Sequence, residues 1–292
     1  VYDGFVNGEN TSILSSPILA ETPAKEDSPA GAYPIVLSGG EADNYDIKLN
    51  NGILTVVHDF ERGLIAYYPF NGNANDESGN GRDGKINGIL TSTEDRKDKL
   101  GAAYDFGGEG GSVLIDALED EGLKTGFTYS LWFDSVGKTS RAWQYLINQG
   151  WEASGSPIVL RCQASGGSMR IGQGIANSIR LDFQKTGWHQ LVVVHDGNRL
   201  SAYLNGDFAS GISSSIRVEI PEVPINLGGL AMADGSMEYQ WNGLLDDVRI
   251  YNRALDATEV AALYDLEKPD DKLWPKITWA TPKAITYGDA LT

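Results

Sequence analysis

The residues best equipped for chemistry in this sequence are carboxylates and amides, and they gather in two places. One is the loop "PFNGNANDESGNGRDG", Pro69 to Gly84, where Asn71, Asn73, Asp76 and Asp83 present oxygen atoms among glycines. Calcium takes about 6 to 8 oxygens from carboxylates, amides and carbonyls on a chain flexible enough to arrange them. The other is "LLDDVRIYN". Strand alternation puts Asp246, Val248 and Ile250 on one face and Asp247, Arg249 and Tyr251 on the other. If Val248 and Ile250 face the core, Asp246 points inward, and a buried carboxylate must be neutralised, hydrogen-bonded or bound to a metal. Two readings stand. Either the loop and Asp246 hold a structural cation, or Asn and Asp make Asx-turns while Asp246 accepts backbone N–H groups. The spacing is not that of an EF-hand, so no sensor role follows.

Catalytic constellations are not found. There is no G-x-S-x-G elbow, no H-E-x-x-H pair and no phosphate-cradling glycine loop. Of the 3 His, His189 shares parity with Leu191 and Val193, and His195 abuts the turn Asp196-Gly197-Asn198. The acids of "LEDEG", Glu119 to Glu121, read as a solvated turn, and Cys162 in "PIVLRCQ" as a strand residue. A ligand site built without catalysis needs exposed aromatic platforms with polar neighbours. Trp143 and Trp151 bracket "QYLINQG" beside Arg141, Gln144, Asn148 and Gln149; these two, with Tyr239 and Trp241 in "EYQWNG", are the candidates for a ligand-binding rim.

Short strands must position these residues. The 292 residues, 41% of them hydrophobic, suffice for real cores, and 35 Gly with sparse helical patterning point to many strands and tight turns. A net charge of −17 opposes binding to nucleic acid and to anionic lipid. No stretch approaches the ~18 apolar residues of a membrane span, and Val1 opens no signal peptide, as in a segment of something longer. Residues 1–59 form an acidic β-module, with "GAYPIVLSG", "NYDIKLN" and "GILTVV" as strands. Residues 60–267 carry runs such as "TYSLWF", "HQLVVVHDG" and "LLDDVRIYN" that suit a two-sheet antiparallel sandwich. One helix is expected in "DATEVAALYD", where Asp256 and Glu259 make a capping box. Residues 268–292 are a linker and a first strand region.

The first module, through Tyr2-Asp3-Gly4-Phe5, Tyr33-Pro34-Ile35 and Leu54-Thr55-Val56, resembles the YDG/MBG-type repeats of large bacterial surface proteins. The middle segment, through "GLIAYYPFNGNANDESGNGRDG", "AYDFGG", "GWHQLVVVHDGNRLSAYLNG" and "LLDDVRIYNRALDATEVAALY", resembles laminin-G-like, concanavalin A-like lectin domains.

The resemblance implies an all-β jelly roll with a structural calcium near the meeting of first and last strands. Asp76 and Asp246 would then be carboxylate ligands, with oxygens from Asn71, Asn73 and Asp83. It implies packing roles for Trp132 and Trp188. Hydrolases of this fold class place their acids in an E-x-D-x-x-E strand, which is absent here, so no enzyme is expected. The expected function is adhesion or binding on an extracellular bacterial protein, with a glycan or extracellular protein ligand. The alternative is an accessory carbohydrate-binding domain of a secreted polysaccharide-degrading enzyme. Ile277 to Thr292 is expected to pair as a strand with the N-terminal module, in the same chain or by strand exchange with a neighbouring chain.

Overall fold

The run "GWHQLVVVHDG" shows how the layers are built. A strand that is apolar at consecutive positions must be covered on both faces. In the computed structural model, Leu191 and Val193 lie between two sheets, whereas Val192 and Val194 lie under a helix on the opposite side. The structure describes residues 2–25, 28, 30–107, 110–118, 123, 125–135, 143–149, 159–163, 167–173, 177–184, 186–213, 224–231 and 237–269. Ile277 to Thr292, and with it the expected terminal strand, lies outside them.

Among the described residues the strands form a small N-terminal sheet and two large antiparallel ones. The first contains β1 (Ser16–Glu21), β2 (Gly31–Glu41) and β3 (Gly52–Val56), with β2 central. Its apolar side, Ile18, Ala20 and Leu37, meets Phe5, Tyr45 and Ile47 across a groove of about 500 Å³. One large sheet contains β4 (Leu64–Tyr68), β6 (Thr91–Glu94), β7 (Leu100–Asp105), β9 (Phe127–Asp134), β14 (Trp188–His195), β15 (Arg199–Leu204), β16 (Asp207–Ser213) and β20 (Leu244–Tyr251). Its order is β16-β15-β14-β9-β20-β7-β6, with β4 also on β20. The other contains β5 (Lys85–Asn87), β8 (Ser112–Ile115), β10 (Trp143–Gln149), β11 (Val159–Gln163), β12 (Ser168–Gln173), β13 (Asn177–Asp182) and β17 (Ile225–Leu227). Its order is β13-β12-β11-β10-β17-β8-β5. β18 (Leu230–Ala231) and β19 (Met237–Glu238) pair separately. This is the two-sheet antiparallel sandwich read from the strand pattern and the all-β jelly roll that the resemblance implies.

The core fills the space between the sheets with Phe106, Leu131, Phe133, Ile147, Ile171, Leu245, Val248 and Ile250, each side chain worth about 1.5–3 kcal/mol on burial. Packing is close enough to require glycine at 228. Its φ is +81°, and a Cβ there would lie 2.1 Å from the Phe106 ring.

The helix α1 (Ala257–Glu267) starts where the capping box predicts. The Asp256 side chain accepts N–H bonds from Thr258 and Glu259, and the Glu259 side chain accepts one from the Asp256 N–H. Val260 and Leu263 face Val192, Val194, Tyr203 and Tyr251, which closes the outer face of the eight-stranded sheet.

Candidate functional site

Alternation fails in β20 at one residue, and the failure decides what the acids do. The register against β9 shifts between Asp246 and Arg249, and Asp247 takes φ +45°. This bulge keeps Leu245, Val248 and Ile250 in the core but turns Asp246 to the outer side, opposite Trp132. The expectation that Asp246 shares the face of Val248 is therefore corrected.

Arg96 answers the buried charge. It sits in a turn where Asp95 Oδ1 accepts the N–H groups of Lys97 and Lys99. Arg96 Nη1 donates to Asp246 Oδ2 at 2.5 Å, Nη2 to Asp247 Oδ2 at 2.6 Å, and Nε to the Glu267 carbonyl at 2.6 Å. Its guanidinium lies 4.5 Å over the Trp132 ring, which stacks on Tyr264 of the helix at 5.7 Å. Glu267 accepts from Trp132 Nε1, Gln190 Nε2 and Arg249 Nε at 2.7–3.0 Å. Tyr67 donates to Asp247 Oδ1 at 2.5 Å. Burial and the neighbouring Asp247 charge push the Asp246 carboxyl up to about 8, against the pull of Arg96. The cluster fastens the helix end to the sheet.

The loop from Asn71 to Gly84 is held by its own hydrogen bonds. Asp76 Oδ1 accepts the N–H groups of Tyr67 and Ser78, and Oδ2 that of Arg82. Burial opposes its charge, but the Arg82, Ser78 and Tyr67 donors hold its carboxyl below the usual range. Asp83 Oδ1 accepts from Asp76 N–H, Asn73 Oδ1 from Asn75 N–H, and Asn71 Oδ1 from Lys99 Nζ. Calcium needs these oxygens convergent and free. The five-residue set does not fit: Asp246 is committed to Arg96, Asn71 to an ammonium and Asp76 to the backbone. Among the described residues no group of three His, Cys, Asp or Glu side chains is placed to hold a metal.

The histidines are packing residues. His195 is fully buried and stacks on Phe127 at 5.1 Å; burial, outweighing the pull of Asp196, holds its pKa below the usual value. His189 bonds Gln184 O and Asn205.

The outer face of the seven-stranded sheet is different. The register sets Asn148, Asn226 and Leu114 side by side, on the side opposite to Ile147, Leu227 and Val113, which are core. Asn226 is 3% exposed, yet among the described residues its Oδ1 has no hydrogen-bond partner, and the same holds for Ser112 Oγ on that face. Tyr145, opposite Arg161, also takes this side; its ring lies 5.6 Å from that of Tyr239, and its N–H donates to Tyr239 O.

Of the four aromatic rim candidates, the structure brings Tyr239 to this face, half-buried. Trp241 is 1% exposed, packed against Phe133 and donating to Leu244 O; its rim assignment is corrected, because the turn at Tyr239 (φ +50°) swings the next aromatic inward. Trp143 opens β10. Trp151 lies outside the described residues. Sequence reasoning missed Arg96, Asn226 and Ser112: each is an ordinary polar residue until the turn after β6 places Arg96 and strand register places the other two.

Residues 107–261 match the profile of the concanavalin A-like lectin/glucanases superfamily, and residues 1–55 that of the MBG domain, YGX type. A search of curated proteins finds no match. Among solved structures, the binding domain of botulinum neurotoxin DC in complex with rat synaptotagmin II superposes with a TM-score of 0.56 at 14% identity, over 71% of this chain and 52% of that one. The same toxin domain in complex with SialylT gives 0.56 and 14%, with 71% and 52% covered. Domain 4 of an extracellular arabinanase from Geobacillus stearothermophilus, in complex with arabinotriose, gives 0.52 at 20%, over 69% of this chain and 98% of that one. The chain spans about half the length of the toxin domains. At these identities the likeness establishes the fold.

Proposed function

The chain belongs to the concanavalin A-like lectin/glucanases superfamily, and we propose that its sandwich is a non-catalytic, extracellular binding domain that takes glycan on the outer face of the seven-stranded sheet. One contrast carries this reading. The outer face of the eight-stranded sheet is covered by α1 and the Arg96 cluster, whereas on the outer side of the seven-stranded sheet the half-buried Tyr239 ring stands against Tyr145, on the same side as Asn226, whose Oδ1 has no hydrogen-bond partner among the described residues. Amide and hydroxyl groups beside Tyr145 and Tyr239 suit sugar hydroxyls and the apolar faces of sugar rings.

The adjoining MBG-type module supports an adhesion or display role on a large bacterial surface protein, where repeats act as spacers. The likeness to an arabinanase domain over 98% of that domain's length supports the second reading, an accessory carbohydrate-binding domain of a secreted polysaccharide-degrading enzyme. An extracellular protein ligand on the same face is the outcome if glycans fail.

The test is binding of the purified chain to an immobilised glycan panel, with Asn226→Ala and Tyr239→Ala as probes and thermal unfolding as the fold control. The proposal expects a bound glycan whose affinity falls at least tenfold in one variant. Wild-type affinity in both would move the site elsewhere.

A further inference from the structure

The N-terminal module is built without a closed core. Among its described residues from Tyr2 to Val56 none is fully buried, whereas the sandwich encloses side chains such as Phe133 and Ile250 completely. Strand register gathers Ile18, Ala20, Tyr33, Ile35, Leu37 and Leu54 on one side of β1-β2-β3. Ile18 and Leu37 line the groove of about 500 Å³ opposite Phe5, Tyr45, Ile47 and Leu49, and all six stay half-buried. The far wall is braced: Val6 N–H donates to Tyr45 Oη at 3.2 Å, the Phe5 ring meets Tyr45 edge to face at 5.7 Å, and Tyr45 donates to Glu9. A volume on the order of 300–1,000 Å³ is that of a ligand site, and half-exposed apolar surface gathered in one place marks a docking surface.

Charge and pattern select the occupant. Asp3 and Asp46 line the groove beside Lys48, and residues 1–56 carry eight acidic side chains against two lysines. The partner must therefore be apolar on one side and basic. The stretch "KLWPKITWATPKAITYG", residues 272–288, lies outside the described residues and has this composition. It carries Lys272, Lys276 and Lys283 and no acid, on a chain whose net charge is −17. Ile277 and Trp279 stand two apart, as do Ile285 and Tyr287, so an extended chain puts each pair on one side. A second copy of the module fits less well, because groove against groove sets acid against acid.

The stretch is also within reach. Arg253, four residues ahead of α1, holds the linker that follows β3 by donating to Arg62 O at 2.7 Å and to Asp59 O at 3.4 Å. The 11 residues of α1 lead away from that point by about 16 Å. Residues 268–276 span about 30 Å when extended, enough to return along α1 to the linker and the end of β3.

We infer that residues 272–288 dock in the groove of the same chain as an extended strand. Ile277 and Trp279 enter its apolar part, and the lysines lie toward the acidic rim. The segment supplies the core that the module lacks and ties the module to the C-terminal end of α1.

The experiment is hydrogen exchange, read by mass spectrometry, on the full chain and on Ile277→Ser/Trp279→Ser. Amides of Tyr33 to Leu37 and of Tyr45 to Leu49 are expected to exchange at least tenfold faster in the variant, while those of β14 in the sandwich keep their rates. A peptide of residues 272–288 added in excess is expected to restore protection, and a scrambled peptide of the same composition is not. Equal exchange in wild type and variant would overturn the docking. Faster exchange that the peptide fails to reverse would overturn it too, since the segment would then act from elsewhere. Protection that rises with protein concentration, together with a dimer in sedimentation, would make the donor a second copy and overturn the same-chain assignment.

Discussion

Arg96 Nη1 lies 2.5 Å from Asp246 Oδ2, with the two side chains 3% and 2% exposed. The turn after β6, the last strand and the last residue of α1 thereby share one polar knot beneath the stacked Trp132 and Tyr264. Taking one partner from such a pair strands the other in a dry site. Arg96→Met is expected to cost about 3–5 kcal/mol in urea unfolding. The double variant Arg96→Met/Asp246→Leu is expected to recover part of that loss, because no uncompensated charge remains at position 246. A single-variant loss below about 1 kcal/mol, the range of exposed ion pairs, would show that water reaches the knot.

The pH dependence of the knot has a definite sign. The folded-state pKa of Asp246, about 8, lies above the 3.8 of a free carboxyl, because burial penalises the charge. Its contribution to stability is complete below the unfolded pKa and is lost as pH rises through the folded one. Asp246→Asn does not titrate. Relative to the wild type, it is expected to gain stability between pH 5 and pH 8, read as the difference in urea midpoint. A difference that stays constant over this window would mean that Arg96 keeps Asp246 charged throughout.

His195 works in the other direction. Its imidazole is buried against Phe127 and its pKa is depressed, so the folded state favours the neutral ring. That stability is present above the unfolded pKa, near 6.5, and is lost as pH falls below it. Replacing His195 with Phe is expected to flatten the loss of stability between pH 7 and pH 5, measured by thermal unfolding at each pH. An unchanged slope would place the acid sensitivity in other groups.

The loop from Asn71 to Gly84 tests whether it is braced by hydrogen bonds or by an ion. Asp76→Ala leaves the N–H groups of Tyr67, Ser78 and Arg82 without their acceptor, and each unmet donor costs about 1–3 kcal/mol where water cannot replace it. The loss is expected to be equal in millimolar calcium and in EDTA, with a wild-type midpoint that does not move between them. A wild-type midpoint lowered by EDTA and restored by calcium would mean that these oxygens turn from their donors to an ion, and would return Asp76 and Asp83 to a metal site.

How much of this was readable beforehand depends on the range of the interaction. The capping box of Asp256 and Glu259 is local, and it appears as spaced. The parity of His189, Leu191 and Val193 is equally local, and both ends of that strand are packed as it implies. The run Leu191 to Val194 is apolar at consecutive positions, and both of its faces are covered. What alternation could not supply is the bulge at Asp247, since one extra residue reverses every face before it. The ion pair between Arg96 and Asp246 spans 150 positions, and nothing near "TEDRKDK" distinguishes a buried arginine from a solvated one. The cross-strand row of Asn148, Asn226 and Leu114 likewise exists only once three strands are in register.

Tyr239 and Trp241 stand two residues apart in "EYQWNG" and separate core from rim. Trp241 is 1% exposed, in contact with Phe133 and beside Gly243, where a Cβ would lie 2.8 Å from the indole. Trp241→Ala leaves a cavity between the sheets and is expected to cost about 3–5 kcal/mol in unfolding free energy. Tyr239 is half-buried, with its ring against Tyr145 on the opposite side of the sheet. Tyr239→Ala is expected to cost less than Trp241→Ala by at least about 2 kcal/mol, since an aromatic pair contributes about 0.5–1.5 kcal/mol beyond its buried area, while lowering glycan affinity. Equal losses of stability would make Tyr239 a second core aromatic, and the outer face would then have to bind through its polar groups alone.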